Sequence, residues 1–211
     1  MGPSLCNRGS IIKSAVREPR CYGDEMARRR EFDECTLLDA ATDVFWSRGY
    51  AAASLSEIAE ASGVGTSSIY AAYGSKWGLF LAAFERYCAA RVDLVRRAIA
   101  EGDGSRRDVA ERLLAAIVDD CAGQPDRRGC LMVNSIGELA SEHPEVARIG
   151  GTTTDAMEQA VRDRLPDDPG ADTLAAHIVA LSQGLIQMSR LGVSTRRLRA
   201  TARAATEAIP A

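Results

Sequence analysis

Ser54, Thr66, Ser67, Ser68, Tyr70, Tyr73 and Lys76 bring six hydroxyl-bearing side chains and one ammonium into a single short stretch. These groups donate and accept hydrogen bonds, so they suit holding an anion or reading polar edges rather than breaking bonds. No base stands beside them, and His143 and His177 lie far downstream. GxSxG, HExxH, GxxxxGK(S/T) and the dinucleotide-binding glycine pattern are all absent, so catalysis is not expected. The six cysteines, at 6, 21, 35, 88, 121 and 130, form no CxxC pair and have no histidine cluster near them. Reduced, mostly buried thiols in a cytoplasmic protein are the expectation, with no zinc site and no organic cofactor.

The elements that must position the hydroxyl groups are legible around them. Cys35, Leu38, Ala41 or Thr42, Phe45 and Trp46 recur at helical spacing from about Phe32 to Arg48, and Gly49 supplies a stop. Ser54-Leu55-Ser56-Glu57 is a capping box, in which each end residue can satisfy the other's backbone N–H. The short helix it starts carries Leu55, Ile58 and Ala59 inward and reaches Gly63, a residue suited to a left-handed stop. A second short helix runs from Thr66 to Tyr73, and Gly74 ends it. Ser75 can then cap a long helix from Lys76, striped by Leu79, Phe80, Ala83, Phe84, Tyr87, Cys88, Val92 and Val95.

Two short helices joined by a tight glycine turn and preceded by a supporting helix make a helix-turn-helix. Its second helix enters a major groove when an apolar wedge holds the pair at a steep angle. Ile58, Ala59, Val64 and Ile69 can form that wedge. It leaves Thr66, Ser67, Ser68, Tyr70, Ala71 and Ala72 facing outward, small or hydroxylated enough for close approach to base edges or phosphate.

With Ser54, Ile58-Ala59, Gly63-Val64, Tyr70, Tyr73 and Lys76 in this order, residues from about 32 to 84 resemble the DNA-binding domain of the TetR family of bacterial transcriptional regulators. The resemblance implies a homodimeric, ligand-responsive regulator, more often a repressor, bound to a palindromic operator. It places Thr66, Ser67, Ser68, Ala71 and Ala72 near base edges, and Ser54, Tyr70 and Lys76 on phosphates. Three features depart from the family pattern. Tyr73 stands where Phe is usual, Trp77-Gly78 replaces a pair of acids, and two alanines occupy groove positions. Fewer direct base hydrogen bonds follow, with more weight on thymine methyls or DNA shape.

The rest of the chain reads as helices separated by Gly102-Asp103-Gly104, Gly123-Gln124-Pro125-Asp126 and Pro166-Asp167-Asp168-Pro169-Gly170. The family resemblance makes this a ligand-binding and dimerisation part. Leu174, Ile178, Leu181, Gly184, Leu185, Met188 and Leu191 then form either a dimer interface or intramolecular core. The segment from Arg128 to Ala140 resembles a stretch found in a subgroup that includes sensors of reactive electrophiles. Asn134 and Glu138, one turn apart, either face a ligand pocket or cap neighbouring helices. Cys130 is the third pocket candidate: a reactive sensor stabilised by Arg127 and Arg128, or a buried structural thiol.

Composition sets the frame. Hydrophobic residues at 46% and aromatics at 5% favour an all-α fold with a sizeable helical core. The expected organisation is a disordered tail over 1–27, a helix-turn-helix domain over 28–75 and a larger helical domain over 76–211. The opening residues lack a signal-peptide core, no apolar run is long enough for a membrane span, and Met26 ahead of ARRREF reads as the natural start. Residues 31–78 carry only Arg48 and Lys76 against seven acids, so DNA contact must use a few placed groups and helix N-termini. That acidic balance also leaves open a helical adaptor whose helix-turn-helix contacts protein.

Overall fold

The computed structural model describes residues 22–124 and 126–210, and all regular structure among them is helical. The order is α1 (Tyr22–Ala52), α2 (Leu55–Ser62), α3 (Thr66–Tyr73), α4 (Lys76–Ala98), α5 (Arg106–Ala122), α6 (Leu131–Leu139), α7 (Pro144–Arg162), α8 (Ala171–Arg190) and α9 (Thr195–Glu207). Helix α1 begins at Tyr22, so residues 22–27, expected in the tail, are helical. The remainder of that expected tail lies outside the described residues. Gly49 breaks α1 with φ 76° and ψ 168°, at the expected stop, before a last turn to Ala52.

The chain divides into two compact units, one ending at Ala83 and the other beginning at Phe84. The expected boundary at residue 75 therefore shifts into α4. Leu79, Phe80 and Ala83 are buried, and the Phe80 ring meets Phe45 edge-on at 5.2 Å. The first turns of α4 thus complete the core of the N-terminal unit.

In that unit α2 packs on α1 and α3 packs on α2. Leu37, Leu38, Ala41, Phe45, Ile58 and Ile69 supply the buried apolar surface. In the second unit α5 lies against α8 and α9, while α7 packs on both α6 and α8. Val109, Leu113, Leu114, Ile117 and Val118 of α5 are nearly inaccessible. Burying such aliphatic side chains stabilises the fold by about 1.5–3 kcal/mol each. No described helix is long and apolar enough to cross a membrane.

Candidate nucleic-acid interface

The site begins with the turn between α2 and α3. Ser54 caps α2: its Oγ accepts from the Glu57 N–H at 3.2 Å, and its own N–H donates to Glu57 Oε2 at 3.1 Å. The Ser54 hydroxyl also donates to Glu57 Oε2 at 3.0 Å. Hydrogen bonds from the Ser54 hydroxyl and backbone lower the Glu57 pKa, and Arg48 lies 2.9 Å from its other oxygen. The Ser54 proton is therefore engaged in the cap. Gly63 closes α2 at φ 72° and ψ 9°, a conformation that would strain a side-chain-bearing residue. Its N–H donates to the Ala59 carbonyl at 2.9 Å, and the Val64 N–H donates to Ser62 Oγ at 3.2 Å.

This turn sets α3 with one side chain inward. Ile69 is fully buried, whereas Thr66, Ser67, Ser68, Tyr70, Ala71 and Ala72 are exposed, Tyr70 to 55%. Gly65 precedes the helix and offers no side-chain cap; the Ser68 N–H donates to the Gly65 carbonyl at 2.9 Å, which leaves the Thr66 and Ser67 N–H groups open to an acceptor. The expected wedge is present in part: Ile58 and Ile69 are sealed, while Ala59 and Val64 are half-buried.

Tyr73 is half-buried and its hydroxyl donates to Glu34 Oε1 at 3.0 Å. The Tyr-for-Phe departure thus gives the end of α3 a hydrogen bond to α1. Lys76 Nζ donates to the Ala51 carbonyl at 3.3 Å and lies 4.6 Å from the centre of the Tyr50 ring. Burial raises the Tyr50 pKa, keeping that ring a neutral face for the cation. Trp77 stacks on Phe80 at 5.3 Å and meets Tyr50 edge-on at 5.2 Å, which accounts for an aromatic where the family pattern has an acid. A Cβ on Gly78 would stand 2.1 Å from the Tyr73 carbonyl oxygen, so the neighbouring position is closed to an acid by the backbone.

Residues 37–83 match the family model described as bacterial regulatory proteins, tetR family. The activator FasR of Mycolicibacterium smegmatis is 33% identical over 155 residues, 72% of this chain and 67% of its own length. The chain belongs to the TetR family. Among other TetR-family relatives, the Escherichia coli repressor ComR is 25% identical over 193 residues, 87% of this chain and 92% of its own. A cysteine-substituted CifR, solved with 26-base-pair operator DNA, is 30% identical with a TM-score of 0.69. That match covers 83% of this chain and 96% of CifR. TetR-family membership makes the chain an all-helical, DNA-binding transcriptional regulator.

The second unit corrects part of the residue-level expectation. Asn134 donates from Nδ2 to the Arg128 carbonyl at 2.8 Å, and its Oδ1 accepts from Arg190. It ties the α5–α6 connection to the end of α8. Glu138 is exposed on α6. Asn134 is half-buried, and neither residue borders the cavity that Cys130 shares with Arg91.

Cys130 is buried to 3% exposure, and the Tyr87 hydroxyl donates to its Sγ at 3.4 Å. Burial holds the Tyr87 pKa well above its ordinary value. Cys130 shares a cavity of about 10 Å³ with Arg91, Val95, Met132, Met157 and Gln183. Arg127 is exposed and Arg128 pairs with Asp126 at 3.4 Å, so the cationic cradle expected around the thiol is replaced by a phenol and a buried arginine.

On α8, Ile178 and Leu185 are buried inside their own chain at 0% and 3% exposure. Facing α5 and α7, they belong to the intramolecular core rather than to a dimer face. Leu174, Leu181 and Met188 are half-buried, Gly184 is exposed, and Leu191 is 82% exposed.

The reading from sequence missed Arg91. It is 8% exposed and donates from Nη1 to Asp120 Oδ2 at 2.8 Å. The available signal was its position four residues after Tyr87 and four before Val95 on an apolar stripe.

Proposed function

We propose that this regulator is a ligand-responsive repressor that binds a palindromic operator as a homodimer. The observation that carries the reading is the outward face of α3, where six small, hydroxylated or phenolic side chains lie exposed around one buried anchor, Ile69. Thr66, Ser67, Ser68, Ala71 and Ala72 approach base edges, and Tyr70 and the open N–H groups of α3 hold phosphate. Ser54, Tyr73 and Lys76 hold the helix at its angle, with the Lys76 ammonium retaining N–H donors for a phosphate. CifR, 30% identical, is seen on operator DNA, and ComR is named a repressor.

Leu174, Leu181, Gly184, Met188 and Leu191 form the surface on α8 that meets a second copy. Pairing is needed because two recognition helices must reach half-sites roughly 34 Å apart. An effector entering the second unit displaces the helices around it. Because α4 runs without a break from one unit into the other, the displacement changes the spacing of the two α3 helices and operator affinity falls. The role is non-enzymatic.

A gel shift with the DNA upstream of the protein's own coding region tests the reading. Specific retardation, lost on Tyr70→Ala, is expected. Equal binding to unrelated DNA, or none, overturns it. The acidic balance of the N-terminal unit favours one rival, an adaptor using α3 against protein, for which the same assay shows no retardation.

A further inference from the structure

The cavity among α4, α5, α6, α7 and α8 contains polar groups that a purely apolar guest would leave without partners. Arg91 carries five N–H donors, and its bond to Asp120 Oδ2 is its one hydrogen bond among the described residues. Gln183, which also borders the cavity, makes no side-chain hydrogen bond among the described residues. The other walls are largely apolar, with Val95, Ile117, Met132, Met157 and Ile186 prominent, and no carboxylate lines the space. Donors that face this space with no protein acceptor are met by water or by an acceptor that a guest supplies.

We propose that the effector is a small monocarboxylate with a slim apolar body, its carboxylate bound by Arg91 and Gln183. This rests on the reading that the second unit holds the effector, and it names the effector's chemistry. A guanidinium forms paired, charge-assisted bonds with a carboxylate. An amide head offers one neutral carbonyl acceptor in place of two charged oxygens, and an ammonium head offers no acceptor at all. Asp120 is the positioning residue: it keeps the guanidinium charged and aimed while the site is closed. The cavity, at about 10 Å³, holds roughly one water, so the guest's body must displace side chains. Met132 and Met157 are the unbranched, adaptable walls that can yield. Entry therefore requires the rearrangement that a switch needs.

The test is calorimetric titration of the full chain with benzoate, phenylacetate and hexanoate, alongside benzamide, phenylacetamide, hexanamide and hexylamine. At least one acid is expected to bind at least tenfold more tightly than its amide, with hexylamine silent. Arg91→Lys removes the paired geometry and Gln183→Leu removes an amide donor. Each should weaken the acid tenfold or more with unchanged helical content by circular dichroism. Should Arg91→Lys fail to fold, Gln183→Leu and the acid-to-amide ratio decide. Silence from all three acids, amides binding as tightly as acids, or an acid indifferent to the substitutions overturns the proposal. A ligand-free gel shift run in parallel reports on the regulator reading independently: its failure does not alter what the titration shows about the cavity, and the reverse also holds.

Discussion

Tyr70→Phe separates DNA contact from folding. Tyr70 is 55% exposed on the outer face of α3, and its hydroxyl makes no hydrogen bond among the described residues. Removing one oxygen from such a position leaves the core unchanged, so stability should stay within about 0.5 kcal/mol of the parent. A hydrogen bond from that hydroxyl to a phosphate contributes about 1.5–3 kcal/mol, the range for bonds to charged groups. A dimer on one operator loses two, or about 3–6 kcal/mol, which corresponds to about 10²–10⁴-fold in affinity at 1.4 kcal/mol per tenfold. Fluorescence anisotropy on labelled upstream DNA at fixed salt measures the loss, and thermal unfolding measures stability. The slope of affinity against salt should not change, because no charge is removed. Affinity within threefold of the parent would refute the phosphate assignment. A parallel fall in melting temperature would show that Tyr70 is a packing residue instead.

Further outcomes follow from the same geometry. Ser54→Ala removes the hydroxyl from the cap of α2 and should cost about 1 kcal/mol by chemical denaturation; no measurable cost would mean the cap is redundant. The Glu57 pKa is lowered by its bonds from Ser54, so its stabilising contribution is present above the unfolded carboxylate pKa of about 4.3 and lost as pH falls through the folded value. Glu57→Gln should therefore be destabilising at pH 7 and progressively less so as pH falls below the unfolded carboxylate range. Gly78→Ala places a Cβ 2.1 Å from the Tyr73 carbonyl and should cost roughly 1–3 kcal/mol through overpacking, read as a lower melting temperature. Brief N-ethylmaleimide treatment of the folded protein should label half-buried Cys35 well ahead of Cys88, Cys121 and Cys130, which are buried. Burial pushes the Cys88 thiol up to about 12. Equal labelling of Cys130 in peptide mass spectra would restore it as a reactive sensor.

The DNA-binding head was readable because its signals are local. The Ser54–Glu57 box, Gly63 and Gly74 each dictate backbone geometry within a few residues, and Ile58 and Ile69 need only helical periodicity to be placed inward. The breaks at residues 102–104, 123–126 and 166–170 were legible for the same reason, and each falls between helices of the structure. Contacts between distant elements were not legible. Nothing near Tyr73 in sequence announces Glu34, and nothing near Lys76 announces the Ala51 carbonyl.

The sequence by itself determined the caps and breaks from Gly49 onward and which stripe of each helix is apolar, since capping and periodicity are properties of neighbours along the chain; it did not show that α1 reaches back to Tyr22. Only the tertiary structure decided which apolar side chains on α8 stay outside the core. Ile178 and Leu185 share the broad stripe of Leu174 and Leu181, and the packing of α5 and α7 selects between them. It likewise decided that Arg91, in sequence an ordinary charge on an amphipathic helix, lies inside. Its counter-ion Asp120 sits 29 residues away on α5, and a desolvated charge is tolerated only where folding brings its partner to it.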